Sequence, residues 1–211
     1  MAAQGTFEIK DENNNQTDYT TCFINSNVPH QFKSNEASLV ILINPVSCIG
    51  YHLYNKYRDV QITSLNPGLK QLQDSFMHYC VNDSEFPELI NAITHEPENF
   101  KCDHEIENHF ADERIYKAIE YLEQCFDRVV PLKEIAGFCY LSETRFLHLF
   151  KEKTNLNFRR YQLWNKLIKS LPYLKTHSIT ETAYQFGFTN HAHYSRTFKV
   201  TFGLSPKFCQ V

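Results

Sequence analysis

The chain has 211 residues, 42% apolar, 21% charged and 14% aromatic, with 6 Gly and 8 Pro. This composition excludes disordered, collagen-like and linker proteins, and it suffices for one large domain or two small ones with their own cores. The longest purely apolar run, Leu39 to Ile43, is five residues, too short for a transmembrane helix. The N-terminal stretch is Asn-rich and acidic and lacks the basic and apolar regions of a secretory signal. Seven Cys, at positions 22, 48, 80, 102, 125, 139 and 209, form no Cys-x-x-Cys, which reads as a reduced, cytoplasmic protein rather than a disulfide framework.

The net charge of −3 hides a division. Residues 1–128 carry 9 Lys+Arg against 20 Asp+Glu, a balance of −11, whereas residues 129–211 carry 12 against 4, a balance of +8. A basic C-terminal part beside an acidic remainder is the asymmetry expected when one module meets a polyanion. Two solvated surfaces of opposite sign would give the same sums.

In chain order, Thr6 to Lys10, Tyr19 to Ile24 and Ser38 to Ile43 are rich in β-branched and aromatic residues and read as strands. The stretch Asp11 to Gln16 between the first two reads as a turn or loop. Pro45 opens a predicted helix through Tyr57, with Val46, Ile49, Leu53 and Tyr57 on one stripe. After the break at Asn66-Pro67-Gly68 the pattern turns helical, with Leu69, Leu72 and Phe76, then Leu89, Ile90 and Ile93 up to Pro97. The acidic stretch Asp103 to Asp112 reads as the linker. Two modules are therefore expected: 1–110, with strands to about 66 and helices over 69–100, and 112–211.

The second module reads as helix throughout. Ile115, Ile119, Leu122 and Phe126 make one apolar seam, and Pro131 starts a short helix with Leu132, Ile135 and Ala136 inward. Ser142 caps the next helix, whose stripe is Phe146, Leu149 and Phe150. A longer helix spans about 157–175, with Trp164 in its core. Ser178-Ile-Thr-Glu181 is a capping box opening a short helix with Ile179, Ala183 and Phe186 inward, and Gly187 suits its left-handed stop. Asn190 caps a last helix carrying Tyr194, Phe198 and Phe202, which Gly203 ends.

Short helix, tight turn and long helix thus occur twice, over about 132–153 and about 179–202, joined by one long helix. Leu132 answers Ile179, Ala136 answers Ala183, and Phe150-Lys151 answers Phe198-Lys199. With the apolar stripes removed, Thr144, Arg145, His148 and Lys151 remain on one outward face. His191, His193, Ser195, Arg196 and Lys199 remain on the other, next to Asn190. Arg and His can donate to guanine N7 and O6, and Lys and Ser can hold phosphates, so both faces suit the major groove of double-stranded DNA.

The runs Leu132-Lys-Glu-Ile-Ala136, Leu141-Ser142 and Phe150-Lys151 resemble the first half of the AraC/XylS-type DNA-binding domain. Ile179 to Ala183, Phe186-Gly187-Phe188, Ser195-Arg-Thr-Phe-Lys199 and Phe202-Gly203-Leu-Ser-Pro206 resemble the second half. The resemblance covers roughly 112–211 and implies a bacterial transcription regulator, usually an activator, whose two recognition helices enter successive major grooves. Carried over residue by residue, it places Thr144, Arg145 and His148 at bases in one groove and His191, Ser195 and Arg196 in the next. It also implies RNA polymerase as a further partner.

The sequence departs from that pattern. Tyr140 stands where the first turn usually has Gly or Asn, so a left-handed backbone there costs roughly 1 kcal/mol. His148 replaces a customary Arg. Pro172 lies inside the connecting helix and should kink it or displace its last turn, at roughly 3 kcal/mol if unrelieved. Asn155 in place of the usual Gly is benign, because Asn tolerates positive φ.

The N-terminal module resembles a shortened cupin-type sensor barrel, with Val28-Pro29-His30, Leu39 to Ile43 and Asn44-Pro45 as its later strands. No His-x-His precedes His30, so no metallo-oxygenase centre follows from that pattern, and His30 reads as a packed or turn histidine. Cys102-Asp-His104 with His109 lacks a fourth zinc ligand at a usual spacing. Cys48 and His52 could share a helix face, but a buried cysteine inside the helix is the better reading of Cys48. No phosphate loop, nucleophile elbow or paired-carboxylate motif occurs.

The expected fold class is α+β: a mixed β/helical sensor-like module followed by an all-α double helix-turn-helix domain. The expected protein is a non-enzymatic, cytoplasmic, nucleoid-associated regulator that binds promoter DNA as a homodimer and takes no cofactor or metal. Its N-terminal module would dimerise, sense a small-molecule effector, or both. Two alternatives stand beside this: a ligand-independent regulator whose first module serves only protein contacts, and a cupin-type binding protein or enzyme with a regulatory DNA-binding tail.

Overall fold

The computed structural model describes residues 1–65, 69–81 and 109–210. The chain divides into two compact units, Met1–His109 and Phe110–Val211.

In the first unit, β1 (Phe7–Asp11), β2 (Gln16–Tyr19) and β4 (His30–Lys33) form an antiparallel sheet in the order β2-β1-β4. Register places Phe7 opposite Tyr19 and Ile9 opposite Phe32. The period of two along β1 sends Phe7 and Ile9 inward and Glu8 and Lys10 toward solvent. The Asp11–Gln16 stretch is the tight turn of the β1–β2 hairpin. Asp11 Oδ1 accepts the Asn13 and Asn15 N–H groups, both at 2.8 Å, and Asn14 adopts φ 66°.

Tyr19 to Ile24 is not one strand. It breaks at Thr20-Thr21, and β3 (Cys22–Ile24) pairs instead with β5 (Ile62–Ser64) in a second, two-stranded sheet. Ala2, Phe7 and Ile9 form the buried cluster, against which Tyr19, Cys22, Ile24 and Ile62 pack. Among the described residues these strands make two small sheets rather than the closed barrel that the cupin resemblance implied. Ser38 to Ile43 also departs from expectation. Only Ser38 bridges, to Ala2, and Val40 and Leu42 are 66% and 51% exposed. High β propensity forms no ladder without a partner strand.

Helix α1 (Cys48–Lys56) starts later than the Pro45 signal because Ser47 Oγ accepts the Gly50 N–H and sets the cap. Val46 and Leu53 are buried, whereas Ile49 is exposed. Cys48 is disulfide-bonded and only half-buried, which corrects both the reading of a wholly reduced chain and that of a buried helix cysteine. Helix α2 (Lys70–Val81) buries Leu72 and Phe76 as its spacing predicts. The helical signals at 89–97, the stretch 103–108 and the Cys102/His104 pair lie outside the described residues.

The second unit is helical. Helix α3 (Glu113–Gln124), capped by Asp112, buries Ile115, Ala118, Ile119 and Leu122. It is followed by α4 (Leu132–Phe138), α5 (Glu143–Thr154), α6 (Phe158–Leu174), α7 (Ile179–Gln185), α8 (His191–Phe202) and a terminal 3-10 turn at Pro206–Cys209. Phe146, Phe150, Phe158 and Tyr161 cluster where α5 meets α6, with edge-on contacts from Phe158 to Phe146 and Phe150. Leu167, Leu174, Ala183, Phe186, Phe188, Tyr194 and Phe198 form the core where α6 meets α7 and α8. Helix α6 therefore spans both cores. It runs through Pro172 and stops at Leu174, so the proline sits in the last turn, where only the Ile168 carbonyl loses its helical donor. Trp164, expected in the core of α6, is only partly buried.

Candidate nucleic-acid interface

The pairs α4–α5 and α7–α8 repeat one geometry. Ala136 and Ala183, 1% and 0% exposed, sit at the two helix crossings, where a larger side chain would hold the helices apart. The turn after each first helix closes with the same bond: Leu141 N–H donates to the Ala136 carbonyl at 2.9 Å, and Phe188 N–H to the Ala183 carbonyl at 2.8 Å. Tyr140 and Gly187 occupy the left-handed position within these turns. The second turn is one residue longer before its cap, so the equivalence shifts from Ala136/Ala183 to Ser142/Asn190. Both second helices also end alike. Asn155 and Gly203 adopt φ 56° and 75°, and their N–H groups donate to the carbonyls of Lys151 and Lys199.

On α5, Phe146, Leu149 and Phe150 face the core, which leaves Thr144, Arg145, His148 and Lys151 exposed. On α8, Tyr194 and Phe198 face the core; His191, His193, Arg196 and Lys199 are exposed and Ser195 is half-buried. Because Phe146/Tyr194 and Phe150/Phe198 are equivalent, His148 and Arg196 point the same way from their helices, as do Lys151 and Lys199. Among the described residues Arg145, Lys151, Arg196 and Lys199 take part in no ion pair, whereas Glu152, an acid on α5, is engaged by Lys153. The two faces thus offer unneutralised cations to a polyanion.

Two of the sequence-predicted site residues also make local contacts. Asn190 Oδ1 accepts the His193 N–H at 2.8 Å and caps α8. The exposed His193 ring stands edge-on to Phe188 at 5.4 Å. In the first unit, His30 lies on the surface at the start of β4 with Nδ1 2.9 Å from the Val28 carbonyl, and His109 is buried beside Tyr51 with Nε2 3.1 Å from the Val46 carbonyl. Among the described residues no cluster of His, Cys, Asp or Glu suits a metal ion.

The first recognition unit is braced by charge. Arg128 makes a bidentate pair with Glu134 at the start of α4, and the Tyr121 hydroxyl at the end of α3 donates to the same carboxylate. These bonds, the guanidinium first, hold the Glu134 carboxyl down at about 2. Buried polar residues on α6, namely Gln162, Asn165, Lys166 and Ser170, escape a pattern search that looks for apolar stripes. Their signal is a polar side chain recurring at helical spacing on a face that should be apolar.

Residues 135–209 match the family model described as a helix-turn-helix domain. Over 98 residues, the chain is 32% identical to the HTH-type transcriptional activator RhaS of Salmonella schwarzengrund, covering 46% of this chain and 35% of that protein. The chain thus spans about a third of the length of the curated relative it matches. Among solved structures, it is similar to a transcriptional regulator with an AraC-type DNA-binding domain from Chromobacterium violaceum (21% identity, TM-score 0.46, 49% of this chain and 94% of that one). It is also similar to the C-terminal domain of the response regulator yesN from Fusobacterium nucleatum (20% identity, TM-score 0.44, 47% of this chain and 100% of that one). Residues 135–209 of the C-terminal unit are thus a helix-turn-helix domain.

Proposed function

We propose that this chain is a double-stranded DNA-binding transcription regulator whose helices α5 and α8 enter two major grooves. One observation carries this reading: two exposed basic helix faces stand at equivalent positions of a repeated frame, with Lys151 and Lys199 one turn before matching left-handed caps. Lysines and the helix N-termini position the domain on phosphates, and Arg145, Arg196, His148, Thr144 and Ser195 read base edges. His191 and His193 border the second groove.

The similarity to a transcriptional activator favours activation, with RNA polymerase as a further partner and the cytoplasm as the site of action. The reading assigns no reaction to the chain. The N-terminal unit serves dimerisation, small-molecule sensing or both. A dimer contact would fall to that unit rather than to the apolar seam of α3, because Ile115, Ile119 and Leu122 are buried.

Selection of a duplex from a randomised DNA library by the full chain tests the proposal. A reproducible sequence should emerge, bound with an affinity that falls steeply as salt rises, since cations on the protein displace condensed counterions. Failure to enrich any sequence would reject it.

A further inference from the structure

We infer that Gln162, Asn165, Lys166 and Ser170 are positioning residues that fix how the two recognition helices stand relative to one another, and with that the spacing of the two DNA segments the chain reads. The inference rests on the DNA-binding function proposed above.

These four side chains are 8%, 4%, 4% and 0% exposed, and each reaches a different element. Gln162 clamps the strand of chain leading into α4: its Oε1 accepts the Val130 N–H at 2.9 Å, and its Nε2 donates to the Val130 carbonyl at 3.1 Å. Asn165 Nδ2 donates to the Leu122 carbonyl at the end of α3, at 2.9 Å. Lys166 Nζ donates to the Gly187 carbonyl, in the turn between α7 and α8, at 2.8 Å and lies 5.0 Å from the centre of the Phe188 ring. The Ser170 hydroxyl sits 2.8 Å from the Tyr194 hydroxyl on α8. Gln162, Lys166 and Ser170 recur every four residues, so one face of α6 bonds the first helix-turn-helix pair at its N-terminal end and the second pair at its C-terminal end, both within the C-terminal unit.

Polar groups in such positions carry a desolvation penalty that apolar residues would not. Burial indeed pulls the Lys166 ammonium below its ordinary range, against the opposing charge of Asp127. What hydrogen bonds add is direction. An apolar core tolerates sliding and repacking, whereas a donor and acceptor at 2.8 Å meet at one relative placement. The covalent joint cannot supply this by itself, because Pro172 removes a helical bond from the last turn of α6, just before the chain enters α7.

A direct contact outside α6 also ties the two helix-turn-helix pairs. A Cβ at Gly187 would come within 2.2 Å of the Asp127 carbonyl, and Phe126 packs on Phe186 with ring centres 5.4 Å apart. Lys166 sits at the centre of this contact, 3.0 Å from the same Cβ position. Its ammonium therefore closes the joint at the point where the loop before α4 touches the turn before α8.

A rigid pair of reading heads gains affinity through effective concentration only when the DNA presents both segments at the matching spacing. The test uses the full chain and the duplex it selects from a randomised library. Three further duplexes accompany it: one with each contacted segment scrambled in turn, and one with a single base pair inserted between them. Wild type should bind the full site tightly and reject the insertion. Lys166→Met should lose about tenfold on the full site, keep its half-site affinities, and discriminate less against the insertion. Ser170→Ala, a milder change, should shift the same ratios in the same direction. Unchanged full-to-half-site ratios and an unchanged spacing preference in both variants would overturn the inference. So would equal fractional losses on full and half sites, which would place these residues in the integrity of a single unit. If wild type selects no duplex, the DNA-binding reading itself fails and this assignment falls with it.

Discussion

Tyr140 and Gly187 hold the same place in the two turns, with φ 56° and 64°, yet only one of them is a glycine. The environments differ as much as the residues. Tyr140 is 96% exposed, so its side chain meets only a local backbone penalty, while a Cβ at Gly187 would also collide with the Asp127 carbonyl. Tyr140→Gly should therefore stabilise the C-terminal unit by up to about 0.5 kcal/mol, the left-handed strain of roughly 1 kcal/mol less the extra entropy of an unfolded glycine, about 0.5–1 kcal/mol. Gly187→Ala should destabilise it by about 2–3 kcal/mol, because strain and overlap add. Trp164, the sole tryptophan, lies on α6 and reports this unit in urea unfolding; a midpoint shift of the wrong sign for either variant would contradict the account.

The Arg128–Glu134–Tyr121 brace predicts an acid-dependent term. Glu134 titrates at about 2 in the folded chain against an ordinary 4.5. A depressed carboxyl stabilises the fold above its unfolded value, and that contribution disappears as pH falls through the folded one. Glu134→Gln should accordingly be less stable than wild type at neutral pH, with the gap narrowing as pH drops from about 4.5 toward about 2. Urea midpoints followed by Trp164 emission at several pH values check this. A gap independent of pH would show that the brace works through hydrogen-bond geometry and not charge.

The C-terminal helices were readable from sequence because caps, stripes and stops agreed locally. Ser142, Ser178, Asn190 and Gly203 all take the roles that their neighbours imply. The N-terminal strands were less legible. Leu39 to Ile43 has the composition of a strand but no ladder partner, and Thr20-Thr21 transfers the chain between sheets where propensity alone reads one continuous strand. At the candidate interface, periodicity separated outward from inward positions on α5 and α8. It could not show that Asn190 is occupied as a cap, nor that Gln162 and Lys166 reach across to Val130 and Gly187. Those facts depend on contacts distant in sequence.

Asn190 offers a way to separate capping from recognition. Its amide oxygen holds the His193 N–H, so Asn190→Ala should cost about 1 kcal/mol of stability in the C-terminal unit, and Asn190→Ser should recover most of it. Binding to selected and random duplexes should weaken by the same factor, since a frayed α8 loses both kinds of contact. A selective loss on the selected duplex, rescued by neither Ser nor Asp, would instead assign Asn190 to a base.

Arg196 and Lys199 lie on one exposed face of α8, but they are expected to do different work. Arg196 stands in the N-terminal half of the helix, where a guanidinium can make two parallel bonds to a guanine edge; Lys199 stands near its C-terminal end, where a flexible ammonium suits a phosphate. Arg196→Ala should cost about 1–3 kcal/mol on the selected duplex and relax the base preference at one position. Lys199→Ala should weaken selected and random duplexes alike and lower the slope of log affinity against log salt by about one ion. Affinities measured at several salt concentrations, with each position of the duplex substituted in turn, separate the two. Equal losses on both duplexes for Arg196→Ala would move that residue to the phosphate backbone. An unchanged salt slope for Lys199→Ala would remove Lys199 from the interface.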